Sequence, residues 1–274
     1  MKEYFRCEKV KQGITLKHSS GFFSCCSIAM HNISVFIENE GYIPNVDFSE
    51  TFLKYMDANC STGNDVYKQC FQLQEDKTSL TKPESFEFGK SSLFPYIEEN
   101  YCDLKFFLEK WFHPSKEVLR IKRFLHSKYK IESENTLCVC FRGTDKYKDI
   151  EETSYETFCS KVDYLMSKSG LNAILVQTDQ EQFLDYFTKN FSAYNIIVIA
   201  ENPRRTDQEQ VAFKLDVDKR VRSAQLFLAT MLIMAESRYI INHTGNVARW
   251  INLFRGGAFN TIQYMTEQEI CNLV

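Results

Sequence analysis

The polar residues best suited to binding or catalysis sit directly after short apolar runs. Arg142-Gly143-Thr144-Asp145-Lys146 follows Thr136–Phe141. Two cations, a hydroxyl and flexible backbone at that point suit an anion, a diphosphate above all. A guanidinium can hold two phosphate oxygens as a fork, and a lysine adds a point charge. A solvated turn with an Arg–Asp surface pair accounts for the same residues without a ligand. Thr178-Asp179 follows Ala173–Gln177. Its carboxylate can receive a sugar hydroxyl, hold a loop, or cap a helix opening at Gln180. Glu201-Asn202 follows Asn195–Ala200. A carboxylate there can accept two donors from a guanine edge, or serve as a loop or cap residue. Asn242-His243-Thr244-Gly245-Asn246 lies between an apolar run and a helical stretch. Small residues there expose backbone N–H groups to an anion, and a lone histidine in such a turn is more often structural than catalytic. Ser19-Ser20-Gly21-Phe22-Phe23-Ser24 has the same character without a glycine-rich dinucleotide fingerprint.

These positions depend on the elements around them. Thr136–Phe141, Ala173–Gln177 and Asn195–Ala200 are short continuous apolar runs, which predict buried strands, with Tyr239–Ile241 a brief fourth. Between them, apolar spacing predicts helices over Tyr155–Ser169, Gln180–Asn190, Arg222–Glu236 and Val247–Phe254. Alternation of strand and helix predicts a parallel α/β sheet with helices on both faces and ligands beyond the strands' carboxyl ends. The first half is less regular. A strand over Ile14–Lys17 and helices over Ser24–Asn39, Tyr101–Phe112 and Glu117–Tyr129 are expected, with a polar, broken stretch over Glu50–Glu99. The boundary is placed so that 1–125 forms an N-terminal lobe and 126–274 a C-terminal lobe.

Composition narrows the function classes. The 33 basic and 36 acidic residues give a net charge of −3, which leaves no basic excess to neutralise a nucleic-acid backbone. The longest apolar runs are too short or too interrupted to span a bilayer, and the first residues lack an apolar signal core. A cytoplasmic location is therefore expected, with no transmembrane segment. The ten cysteines contain no C-x-x-C pair and read as reduced, mostly buried thiols.

Taken in order, the segments resemble the fucosyltransferase superfamily that includes the α-1,6-fucosyltransferases, the nodulation-factor fucosyltransferases and the protein O-fucosyltransferases. The α-1,6 enzymes carry H-V-R-R-T-D-K after a strand, where this chain has Cys140-Phe141-Arg142-Gly143-Thr144-Asp145-Lys146. Their T-D-D is similar to Thr178-Asp179-Gln180, their Ser-Asp-Asn to Ala200-Glu201-Asn202, and their F-S-S-Q-V-C-R to His243–Arg249. Their glycine-cysteine turn resembles Gly21-Phe22-Phe23-Ser24-Cys25. The match in order and spacing covers about 136–255, and in the first half only that one turn.

The resemblance implies an α/β, GT-B-like fold of two Rossmann-like lobes, the N-terminal one reduced and irregular and on the acceptor side. A nucleotide sugar, GDP-fucose in preference to a UDP-sugar, would bind on the C-terminal lobe. Transfer to a glycan hydroxyl would invert the anomeric carbon with no metal and no further cofactor. Arg142 would grip the β-phosphate and Lys146 would lie near the donor sugar or phosphate. Glu201 would read guanine, and Thr244 and Gly245 would bind phosphate. Gly21, Phe22, Thr178, Asp179, His243 and Asn246 complete the expected nucleotide-sugar contacts.

Three departures leave the nucleotide open: the family histidine is Cys140, the second arginine is Gly143, and the guanine-reading aspartate is Glu201. A UDP-sugar such as UDP-xylose, or a non-catalytic nucleotide-binding module, are the alternatives. The leaving diphosphate gathers charge that Arg142, Lys146 and the Thr244–Asn246 amides would stabilise. The acceptor hydroxyl needs a base, for which Asp149, Glu151 and Glu152 are candidates, or else these form a solvated acidic helix start. Asp216-Val217-Asp218 offers a third reading, a metal-dependent GT-A transferase, against which stand the flanking Lys214, Lys219 and Arg220.

Overall fold

A computed structural model describes residues 6–10, 12–74, 101–143, 153–205, 216–265 and 268–273. The chain opens with β1 (Arg6–Val10) and β2 (Gly13–Lys17), which pair antiparallel. The helix α1 (Phe22–Glu40) then crosses over to β3 (Asn45–Asp47), which lies parallel to β2. Buried Phe22, Phe23, Cys26, Met30, Ile33 and Ile37 recur along α1 at helical spacing, so one face is committed to the core. Gly41 ends the helix in the left-handed conformation (φ 76°), its N–H returning to the Ile37 carbonyl. After α2 (Gly63–Cys70), the short β4 (Phe71–Gln72) meets β5 (His113–Pro114) beyond α3 (Tyr101–Trp111). The helix α4 (Lys116–Tyr129) follows, with the Ser115 hydroxyl accepting from the Val118 N–H at its start.

The second half is a doubly wound sheet. Its strands are β6 (Thr136–Phe141), β7 (Ala173–Thr178), β8 (Asn195–Val198), β9 (Tyr239–His243), β10 (Thr261–Met265) and β11 (Gln268–Asn272). Their order across the sheet is β11-β10-β9-β6-β7-β8, all parallel except the antiparallel edge strand β11. All six residues of β6 and of β7 are buried, as expected of strands covered on both faces. The chain starts at β6 and runs outward through β7 and β8. It then returns to the other side of β6 to lay down β9 and β10. The winding therefore reverses between β6 and β9, and their carboxyl ends open a crevice there.

Two apolar layers cover this sheet. On one face lie α5 (Tyr155–Cys159), α6 (Val162–Ser169) and α7 (Glu181–Asn190), around Leu137, Val139, Ile174, Phe158, Phe183 and Ile241. The stretch 155–169, expected as one helix, is thus two. Between them the Ser160 hydroxyl lies 3.1 Å from the Tyr264 hydroxyl and Lys161 pairs with Glu269 at 3.0 Å, contacts that fasten the joint to β10 and β11. On the other face, α8 (Arg220–Glu236) and α9 (Asn246–Arg255) pack in a layer that also includes α1, α3 and α4. The α9 side chain Trp250 stacks on Phe23 of α1 (ring centroids 5.6 Å apart), and its indole N–H donates to the Ser27 hydroxyl at 2.9 Å. One continuous layer therefore joins the irregular first half to the sheet of the second. The α/β class expected from the alternation is the class observed. No helix among the described residues is long and apolar enough to cross a membrane.

Candidate functional site

Arg142 leaves the end of β6 and Asp179 the end of the adjacent β7, because Phe141 and Thr178 are partners in register. Asp179 does not cap α7, whose first turn has no side-chain cap. Its Oδ1 accepts the Gly143 N–H at 3.0 Å and its Oδ2 lies 3.8 Å from Arg142 Nε. The carboxylate thereby holds the turn after β6 and lines up the arginine beside it. Gly143 is required by space: a Cβ would stand 2.4 Å from Gln180 Oε1 and 2.7 Å from a Phe141 ring carbon. Gln180 is itself fixed, its Oε1 accepting the Tyr155 hydroxyl at 2.8 Å. The second arginine of the expected motif has no room here. Beneath this turn, burial and the Asp179 charge push the Cys140 thiol up to about 12, so it stays protonated.

Across the crevice, β9 delivers Thr244 and Gly245 to the start of α9. The His243 ring packs between Phe141 and Phe158, at centroid distances of 4.7 and 4.4 Å, on the face of the sheet that carries α5. The buried Thr244 donates its N–H to the Tyr264 carbonyl at 2.9 Å. Gly245 takes φ 143°, a region open to glycine and strained for other residues, and the chain turns there into α9. The first turn of this ten-residue helix has no side-chain cap and no acidic residue. Its N-terminal amides and dipole are positive, one strand away from Arg142.

The first half reaches the same place through the β2–α1 turn. Gly21 begins α1 and a Cβ there would meet nothing within 4 Å. The Phe22 N–H donates to the Tyr55 hydroxyl at 2.8 Å. Burial holds the Tyr55 phenol well above its usual range, and the Arg142 charge is felt there in the opposite sense. Arg142 therefore lies within electrostatic reach of Tyr55, the group that holds the first turn of α1. In the same turn His18 Nε2 lies 3.1 Å from Ser24 Oγ. Burial, with Lys54 nearby, lowers the His18 imidazole below its ordinary value.

Glu201 follows β8 and its carboxylate is engaged: Lys128 Nζ is 2.5 Å from Oε1, and the Tyr129 hydroxyl is 2.5 Å from Oε2. The Tyr129 oxygen also accepts the Ala200 N–H at 2.9 Å. Burial pushes Glu201 up, but the hydrogen bonds from Lys128 and Tyr129 outweigh it and hold the carboxyl below its usual value. Next to it, buried Asn202 donates its amide to Gln177 Oε1 at 2.8 Å and to Thr230 Oγ1 at 2.9 Å, locking the loop to β7 and α8. Thr178 Oγ1 accepts the Gln180 N–H at 3.1 Å, so it shapes the turn after β7.

The structure thus brings Arg142 and Asp179 to the ends of β6 and β7 and Thr244, Gly245 and Asn246 to the end of the neighbouring β9, with Gly21 and Phe22 linked to them through Tyr55. His243 turns into the aromatic layer, and Glu201 lies farther out beyond β8. Lys146, Asp149, Glu151 and Glu152 lie outside the described residues. Asp216 and Asp218 form an exposed turn in which Asp216 accepts the Asp218 N–H and pairs with Lys219 at 3.4 Å. Sequence reasoning missed His18, Tyr55, Lys128 and Tyr129. His18 had a signal, as the first polar residue after a predicted strand, whereas Tyr55 and the 128–129 pair act on partners 33 and about 72 residues away.

No family model matches the chain, and no curated protein sequence matches it either. Solved structures do. A crystal structure of NodZ α-1,6-fucosyltransferase soaked with GDP-fucose superposes with a TM-score of 0.59 at 11% identity, over 93% of this chain and 97% of that one. The fold is that of NodZ. A selenomethionine structure of the fucosyltransferase NodZ from Bradyrhizobium agrees, with a TM-score of 0.53 and 12% identity over 91% of this chain and 93% of that one. The NodZ fold runs through both halves, the irregular first as well as the regular second.

Proposed function

We propose that the protein is a GT-B-like glycosyltransferase that moves a sugar, L-fucose from GDP-fucose, to a glycan hydroxyl with inversion and without a metal. The observation that supports this reading is the crevice between β6 and β9. There Arg142, oriented by Asp179, stands one strand from the uncapped start of α9. A fork of N–H donors and a helix N-terminus, already in place, suit a diphosphate as it departs with its added charge. The NodZ structures with the same fold, one of them soaked with GDP-fucose, lend the donor class to this site. Lys146 would add its charge by the resemblance of its motif.

A UDP-sugar donor is the second reading. It is favoured by the engagement of both Glu201 oxygens with Lys128 and Tyr129, which a guanine edge must share or displace. A thermal-shift series over GDP, UDP and ADP with their sugars tests the proposal. GDP is expected to give the largest shift, about 2.7 kcal/mol at 100 times its Kd. A clear preference for UDP removes the fucose assignment and keeps the transferase. No shift with any nucleotide removes both. Activity that EDTA abolishes and manganese restores removes the metal-independent mechanism.

A further inference from the structure

Resting on that reading, the two halves of the crevice have different jobs. The leaving diphosphate belongs to the second half, with Arg142 and the start of α9. An inverting displacement brings the acceptor hydroxyl to the opposite face of the sugar, so its base must stand away from the diphosphate groups. The acidic residues after Arg142 follow the same strand as the phosphate-gripping arginine. The other half of the chain contributes the β2–α1 turn, which is tied to Tyr55, a residue that feels the Arg142 charge.

We propose that His18, at the carboxyl end of β2, is the general base that deprotonates the acceptor hydroxyl. Three observations converge on it. Its place is the strand end that, in an α/β unit, faces the ligand. The first turn of α1, which it contacts, is also the turn whose Phe22 N–H is held by Tyr55, and Tyr55 feels the Arg142 charge. An alcohol oxygen, Ser24 Oγ, already lies 3.1 Å from Nε2, the distance a reacting hydroxyl would need. The groups around it suit a base. Burial, and then Lys54 from the turn after β3, disfavour the imidazolium, while the Cys25 thiol bonds the His18 carbonyl rather than the ring. Burial and Lys54 both favour the neutral imidazole, which has a lone pair to offer.

The step balances. The acceptor hydroxyl replaces Ser24 on Nε2 and gives up its proton to that nitrogen. Its oxygen forms the new bond to the anomeric carbon while the bond from that carbon to the diphosphate oxygen breaks. The electron pair leaves with the diphosphate, on Arg142 and the α9 amides. The imidazolium then returns its proton to solvent.

The test compares wild type with His18→Gln, which keeps a hydrogen-bonding side chain beside Ser24. GDP release from GDP-fucose is followed with water as the acceptor hydroxyl from pH 5 to 9, UDP-xylose taking its place if UDP gives the larger melting shift. Loss of a general base is worth about 10²–10⁴ in rate. The wild-type rate is expected to fall as pH drops through a value below 6.5, and His18→Gln to lose at least about 10²-fold together with that limb. The nucleotide melting shift should be the same in both proteins. Equal rates and equal pH profiles with an intact shift overturn the base assignment alone. A shift lost in His18→Gln makes His18 a donor-binding group and also overturns it. A wild-type protein that shows no nucleotide shift overturns the transferase reading and this inference with it, whereas one that binds the donor and releases no product to water overturns this inference alone.

Discussion

Replacing Arg142 separates charge from geometry at the crevice. Arg142→Ala removes both, whereas Arg142→Lys keeps the charge and loses the planar fork. The Arg142–Asp179 contact is 3.8 Å long and the two side chains are 32% and 22% exposed, so it contributes little to folding. A solvent-screened pair of this kind is worth at most about 1 kcal/mol. For a chain of this size that shifts Tm by about 2–4 °C. Stabilisation of a departing diphosphate is a larger quantity, about 3–4 kcal/mol, or 10²–10³ in rate. Both variants are therefore expected to fold with a near-normal Tm and to lose about 10²-fold or more in kcat. Lysine should recover little of the loss, because Asp179 orients the arginine through Nε, an atom lysine lacks. The measurement is donor turnover and melting temperature, side by side, for the three proteins. Near-wild-type turnover in either folded variant would refute the reasoning, since no other group could then be taking the charge through that fork.

Gly143→Ala puts a Cβ 2.4 Å from Gln180 Oε1. It should cost about 1–3 kcal/mol by overpacking, read as a lower Tm, and an unchanged Tm would show that the turn is roomier than described. Asn202→Ala strips the donor from Gln177 Oε1 and Thr230 Oγ1. A loss of about 1–3 kcal/mol is expected in denaturant unfolding, and a variant as stable as wild type would mean that neither bond matters to folding. Glu201 has a folded pKa below its ordinary value, so its contribution to stability is complete above pH 4.5 and is lost as pH falls through the folded value. In Lys128→Met that acid-side loss should shrink, and identical Tm profiles between pH 3 and 6 would contradict the pairing.

The central strands were legible because nothing interrupts them. Thr136–Phe141 and Ala173–Thr178 are buried on both faces and write a continuous apolar run. β10 escaped because Thr261 and Gln263 are as fully buried as Ile262 and Tyr264, so neither an apolar run nor an alternation shows. β1 and β3 are short, largely polar strands at the two edges of a small sheet, and α2 carries too many polar residues to stand out. At the crevice, Arg142 and Asp179 could be picked out because a strand end is marked by the run before it. The sequence allows Asp179 three uses, and holding a loop is the one the Gly143 N–H shows. The state of Glu201 was not readable, because Lys128 and Tyr129 come from a helix more than 70 residues earlier.

The indole of Trp250 turns the junction of the two halves into an optical reporter. The chain has two tryptophans, and both are buried. Trp250 rides in the second turn of α9, whose start faces the crevice, and it lies flat against Phe23 in the opening turn of α1. Its N–H is spent on Ser27 rather than on water. An anion drawn onto either helix start pulls on one partner of that stack. The emission of this single side chain should then change in wavelength or intensity without any dye or label. Trp111, on α3, stacked on Phe107 and edge-on to Phe106, supplies a steadier background against which that change is read.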